Sequence, residues 1–324
     1  MKKCIFILTA CVGLLLSHMV FAEPQSWSSW VADVRKEALS QGISPEVFDG
    51  AFADIHEPSR QVKGFARSQP EHRLTYAKYL SSRVDKYRIV EGRQQYKKYK
   101  STLDEVANHF GVDPCFILAF WGLESSYGNY MGNFPVIKSL ATLAYDSSRK
   151  DFFRKELFLG LHILNDGHVT MQSFKGEWAG ASGQPQFLPS SWVKYAVDYD
   201  GDGRKDIWGS KPDVFASIAN YMKINGWQTG EPWAIYVKLP AKFDVQLEGK
   251  TIVKPVSEWN ALGVRTVSGE ALPHQDLKAS IVQPNGGPVF LAYPNYKMIL
   301  RYNNSIYYAG AIGYLADNIC QRAP

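Results

Sequence analysis

Apolar and polar positions follow a helical period through most of the chain, and the period changes near residue 233. Trp27, Trp30, Val31, Val34 and Ala38 recur on one helical face, and Gly42 closes that element. Ser44-Pro45-Glu46-Val47 opens a second helix with a cap, a first-turn proline and an early acid. Residues 71–100 are highly charged, with Tyr76, Tyr79, Leu80, Val84, Tyr87 and Ile89 interspersed, which predicts a long surface helix with one buried stripe. A short amphipathic helix over 103–110 ends at Gly111. Residues 115–123 are apolar on nearly every face and predict a buried helix, begun by the Asp113-Pro114 cap. Further helices are predicted over 137–145, 150–166, 212–225 and 306–319. Residues 176–192 are instead rich in Gly, Ser and Pro around Gln184 and Gln186, a composition that suits close approach to a ligand or simple turn formation. Beyond Pro232, the segments 234–239, 243–247, 251–253 and 263–267 alternate or are β-branched between turn residues, predicting a small antiparallel β domain over 234–292.

A length of 324 residues allows one large domain or two to three modest ones, and 45% hydrophobic with 21% charged residues is an ordinary globular balance. Lys2 and Lys3 precede an apolar run over 5–16, and Val20-Phe21-Ala22 ends it with small residues, so 1–22 reads as a signal peptide and the mature chain as periplasmic. Leu8-Thr9-Ala10-Cys11 resembles a lipoprotein cleavage box, and lipidation at Cys11 with anchoring to the outer membrane is the alternative. No later stretch is long and apolar enough to span a membrane. The net charge of +5, slightly lower without the leader, suits an anionic envelope polymer. Acids mixed among the bases of 71–100 argue for a solvated face and against a nucleic-acid site. Cys115 and Cys320 remain after the leader: they pair in an oxidising compartment, or Cys115 is a free core thiol.

Candidate chemistry begins with Glu124, one acid at the mouth of the apolar helix. A carboxylate there is poorly solvated, its protonated form is favoured, and a pKa of ~6–7 would let it donate a proton near neutrality. The bland alternative is a glutamate paired with an arginine or reaching solvent. A second cluster, Asp198-Tyr199-Asp200-Gly201-Asp202-Gly203-Arg204-Lys205-Asp206, matches the start of an EF-hand loop: acids at positions 1, 3, 5 and 9, glycine at 6, and the Arg204 carbonyl at 7. The twelfth position is Gly209 where a bidentate Glu belongs, and Asp213 is the candidate replacement. This spacing predicts a structural calcium ion, against an acidic turn without metal.

Several ordered motifs together resemble the lytic murein transglycosylase B family: Gly122-Leu123-Glu124-Ser125, Gly180-Ala181, the run from Gly183 through Gln186 to Ser191, the acidic loop, Ile218-Ala219-Asn220-Tyr221 with Gly226-Trp227, and Arg301-Tyr302-Asn303-Asn304-Ser305. The resemblance spans almost the whole mature chain. It implies an α+β, mostly α fold: a lysozyme-like core over 103–233, a helical domain from 23–102 with 293–324, and the β domain over 234–292. It implies that Glu124 is the only catalytic carboxylate and that Gln186, Tyr221, Tyr302 and Asn303 contact sugar. Tyr79, Arg149, Lys150 and Tyr308 match positions lining the same cleft. The family pattern commonly has a serine where Glu177 stands here.

The implied reaction cleaves the β-1,4 bond between MurNAc and GlcNAc in peptidoglycan and leaves a 1,6-anhydro end, with calcium structural and no cofactor for catalysis. Its partners are glycan strands, with wall-synthesis or wall-degradation proteins beside them, and a membrane only through Cys11. Two alternatives stand beside it: a hydrolytic muramidase using Glu177 as a second carboxylate, and a non-catalytic wall-binding protein.

Overall fold

The computed structural model describes residues 25–67 and 74–322. The leader, Cys11 and the start of the 71–100 segment lie outside the described residues. Helices come first: α1 (Trp27–Ser40), α2 (Pro45–Phe52), α3 (Arg60–Arg67), α4 (Tyr76–Arg83), α5 (Lys86–Lys98), α6 (Lys100–Phe110) and α7 (Pro114–Ser125). Strand β1 (Phe134–Pro135) leads into α8 (Val136–Tyr145) and α9 (Lys150–Asn165), and β2 (Lys175–Gly176) pairs antiparallel with β1. Then follow α10 (Pro189–Tyr195) and α11 (Lys211–Ile224). The predicted cap residues Ser44 and Asp113 accept amide protons from the first turns of α2 and α7, and Asp85 does the same for α5.

The single long helix expected over 71–100 is two helices. Val84 leaves the helical region at φ −127°, and Asp85 restarts the chain as an N-cap. An aspartate that bonds the backbone locally competes with helix propagation, so the stripe breaks there.

After Pro232 the chain builds a five-stranded sheet in the order β4-β6-β7-β3-β5, from β3 (Ala234–Lys238), β4 (Lys254–Pro255), β5 (Arg265–Thr266), β6 (Lys278–Val282) and β7 (Val289–Ala292). A short helix, α12 (Val256–Ala261), follows β4 directly. The central pairs are antiparallel, with Tyr236 opposite Phe290 and Ile281 opposite Leu291. Two strand expectations fail. Residues 243–247 contain a 3₁₀ turn over Val245–Leu247, and 251–253 are irregular. The alternation there does not mark a half-buried strand, since Val245 is 70% exposed.

Residue parity sorts the sheet between two cores. Ala234, Val282, Phe290 and Ala292 join the main apolar core, whereas Val237, Ala279, Ile281 and Leu291 join a small one around Val256, Trp259 and Tyr293. The main core gathers residues from Trp30 to Ile319 into one cluster, leaving most of 235–281 to the small one. The chain closes with α13 (Pro294–Tyr302) and α14 (Ile306–Ile319), and α14 packs along α7. A disulfide between Cys115 and Cys320, with Cα atoms 6.1 Å apart, joins the first turn of α7 to the end of α14. Among the described residues, no helix is long and apolar enough to cross a membrane.

Candidate active site

Helix α7 ends where Ser126 (φ 50°), Tyr127 (φ 60°) and Gly128 (φ 84°) all turn left-handed. Side chains at positive φ persist only where the surroundings hold them. Here the Gly128 amide donates to Ser125 Oγ at 3.1 Å, and that hydroxyl donates to the Trp121 carbonyl at 3.1 Å. The Tyr127 hydroxyl donates to the Arg88 carbonyl at 2.8 Å. Tyr127 folds back over Gly122, where a Cβ would lie 2.5 Å from the ring. Glycine is therefore required two residues before Glu124.

The turn leaves Glu124 half-buried at the end of its helix. The Tyr308 hydroxyl, from the first turn of α14, donates to Glu124 Oε1. Burial pushes the Glu124 carboxyl up to about 7; the Tyr308 hydrogen bond and the Arg83 guanidinium pull against that rise, and Glu177 adds to it. With Oε1 accepting from Tyr308, the proton of the neutral acid belongs on Oε2. Burial also raises Tyr308 well above the ordinary phenol range, so it stays a donor.

An aromatic floor lies beside the acid. Tyr302 packs on Phe120 at 4.7 Å and lies nearly parallel to Tyr308 at 6.4 Å, and its hydroxyl donates to the Pro185 carbonyl. Tyr221 packs on Tyr302 at 4.6 Å and donates to the Arg301 carbonyl at 2.9 Å. Asn303 is exposed just beyond, with Oδ1 accepting from the Ser305 amide at 3.2 Å. Gln186 takes a left-handed φ of 53°; its Nε2 donates to the carbonyls of Met131 at 3.0 Å and Gly183 at 2.9 Å, while its Oε1 is buried with no donor among the described residues. Tyr79 packs on Tyr307 at 5.6 Å, with the Arg83 guanidinium over its ring at 5.9 Å.

Glu124, Tyr79, Gln186, Tyr221, Tyr302, Asn303 and Tyr308 thus form one neighbourhood. Arg149 and Lys150 stand at the start of α9. The Arg149 guanidinium stacks on Phe152 at 4.2 Å, and Lys150 lines a cavity of about 670 Å³ with Trp30, Asp33, Tyr145 and Arg154. Sequence reasoning missed Arg83, Arg88 and Gln184. Gln184 accepts from Trp121 Nε1 at 2.7 Å and donates to the Trp208 carbonyl at 2.7 Å, fixing the glycine-rich loop to α7. Nothing in the sequence separates its anchoring role from that of Gln186, two residues on.

In the acidic loop, Asp198, Asp200 and Asp202 each bring one carboxylate oxygen within 4.8 Å of the others. Asp198 accepts from the amides of Gly201 and Gly203, and Asp206 from those of Trp208 and Gly209. Asp213 is 0% exposed, and its oxygens accept from the amides of Tyr199 at 2.7 Å and Asp206 at 2.8 Å. It clamps the two ends of the loop together from the start of α11.

Residues 26–317 match the family model described as the transglycosylase SLT domain. The chain is 30% identical over 253 residues to membrane-bound lytic murein transglycosylase B of Escherichia coli (strain K12), covering 75% of this chain and 67% of that one. The crystal structure of SltB3 from Pseudomonas aeruginosa in complex with NAG-anhNAM-pentapeptide superimposes with a TM-score of 0.88 at 44% identity, covering 91% of this chain and 80% of that one. The Escherichia coli lytic transglycosylase Slt35 in complex with calcium gives 0.77 at 25% identity, covering 90% and 92%. These likenesses bear out the resemblance drawn from the motifs and the lysozyme-like, mostly helical fold. The chain belongs to the transglycosylase SLT domain family.

Proposed function

We propose that Glu124 alone supplies the acid and the base with which this lytic transglycosylase opens the β-1,4 bond between MurNAc and GlcNAc in peptidoglycan. The observation that carries the reading is a carboxyl pushed up to about 7 by burial, beside an aromatic floor. Near neutral pH such a group is available in both protonation states, as a residue that first gives and then reclaims a proton must be. Protonated Glu124 donates from Oε2 to the glycosidic oxygen; the bond from that oxygen to C1 of MurNAc breaks, and the departing GlcNAc leaves as a hydroxyl. The MurNAc N-acetyl group steadies C1, oriented by the exposed Asn303 amide or by Tyr302. The Glu124 carboxylate then takes the C6 hydroxyl proton while O6 closes on C1, giving a 1,6-anhydro ring and restoring the acid. The bound NAG-anhNAM-pentapeptide of SltB3 is a fragment of that product type. Gln186 Oε1 has no donor among the described residues and, being buried, meets a sugar hydroxyl or amide only if its loop opens.

A hydrolytic reading has one observation behind it: Glu177 is close enough to raise Glu124, so a second carboxyl is at hand. Mass spectrometry of digested sacculi separates the two. Glu124→Gln should cut turnover by about 10³-fold or more, whereas Glu177→Gln should keep releasing anhydro ends. Reducing ends from the unaltered enzyme would defeat the transglycosylase mechanism, and persistent cleavage by Glu124→Gln would defeat the assignment of the acid.

The acidic loop fits a structural calcium ion. Asp198, Asp200 and Asp202 would hold it with Asp206 and the Arg204 carbonyl, and Asp213 would brace the loop from behind. Millimolar calcium should then raise the unfolding midpoint of the parent chain and not that of Asp200→Asn; an equal response from both would exclude this loop. The work of the enzyme lies in the cell envelope, and the Cys115–Cys320 bond suits a periplasmic, oxidising setting reached through the leader.

A further inference from the structure

Arg88 stands half-buried in the first turn of α5. Its Nη1 donates to the carbonyl of Arg83, the last residue of α4, and its Nη2 donates to Ser126 Oγ at 2.9 Å. Its backbone is held as well: the amide donates to Asp85 Oδ1 at 2.7 Å, and the carbonyl accepts from the Tyr127 hydroxyl at 2.8 Å. Helix α4 carries Tyr79, with Arg83 over its ring, and α7 carries Glu124, two residues before Ser126. One guanidinium is therefore bonded on one side to the wall that bears Tyr79 and on the other to the turn that ends the acid's helix.

We propose that Arg88 is a positioning residue for the transglycosylase reaction, fixing the spacing between the Tyr79–Arg83 wall and the Glu124 carboxyl. The inference rests on the reading of Glu124 given above. A planar fork satisfies two acceptors at once in a set geometry, which a lysine ammonium on a flexible stem does not reproduce. Ser126 occupies left-handed backbone at φ 50°, a conformation that external contacts must maintain. The Arg88 bond is one of those contacts, made two residues beyond Glu124.

The test uses the full mature chain on soluble glycan strands, counting bonds broken whichever end they leave. Arg88→Ala should lower kcat between tenfold and about a hundredfold, the scale of a misplaced catalytic group. KM should stay within about twofold, because ground-state contacts to sugar remain. Free guanidinium ion, added well below denaturing concentration, should restore several-fold activity to Arg88→Ala and none to the parent. Arg88→Lys should recover only part of the loss, and adding Ser126→Ala to Arg88→Ala should cost little more than the single change, as for two ends of one contact. An unchanged kcat would overturn the proposal. So would a loss that follows the folded fraction measured by circular dichroism, with no rescue by guanidinium. Glu124→Gln assayed alongside reports separately on the acid, so a wrong assignment of Glu124 cannot be mistaken for a failure of Arg88.

Discussion

At the scale of single residues, Glu124 was legible because its position states its environment: one acid ends an apolar run, and the structure gives the raised carboxyl that this implies. Of its regulators, Tyr308 was legible only through the family resemblance and Arg83 not at all. Tyr308 and Arg83 reach it from distant parts of the chain, and no local spacing encodes a contact across 184 residues. The sign of the pH dependence follows from the shift. Cleavage begins from the protonated acid, so kcat/KM should fall as pH rises through about 7. The Tyr308 hydrogen bond lowers the Glu124 pKa, so its removal favours the protonated form further. Tyr308→Phe should move the alkaline limb to higher pH even as the rate falls, and a limb displaced downward would contradict this account of the site.

At the scale of elements, helices were legible from their stripes, caps or long apolar runs, and strands buried on both faces were not. Helices α1, α2, α7 and α14 carry their stripes or their caps openly. Strands β6 and β7 were passed over because a sheet sandwiched between two cores has no polar face to alternate with, and Ile281, Val282, Phe290 and Leu291 are all buried. The loops around Gln184 and Gln186 were recognised as ligand-facing or turn-forming, yet their anchorage to Trp121 and Met131 depends on tertiary contacts alone. Helix α7 offers a sharp test of its terminating turn. Gly122→Ala adds a methyl 2.5 Å from the hydrogen-bonded, buried Tyr127 ring. The overlap should destabilise the fold by about 1–3 kcal/mol, even though alanine is the better helix former by about 1 kcal/mol. Urea unfolding measures it, and a more stable variant would mean that Tyr127 does not seal the helix.

At the scale of the molecule, one apolar core binds the terminal helices to the segment that carries the acid, so both ends of the described chain meet in one packed body. The disulfide reinforces that arrangement. Closing a loop with a sequence separation of 205 limits the unfolded chain by about 5 kcal/mol in the chain-entropy view. Reduction, or Cys320→Ser, should lower the thermal midpoint by roughly 10 °C, and calorimetry with and without reductant reads it directly.

The same bond has a mechanical meaning. Helix α14 starts at the acid, where Tyr308 meets Glu124, and ends at the staple, about 14 Å back along α7. A slip of one helix past the other by a single turn, about 5.4 Å, would drag the phenol off the carboxyl. Pinned at the rear, the two rods cannot ratchet, and they can part only at the front, like the jaws of a clothes-peg.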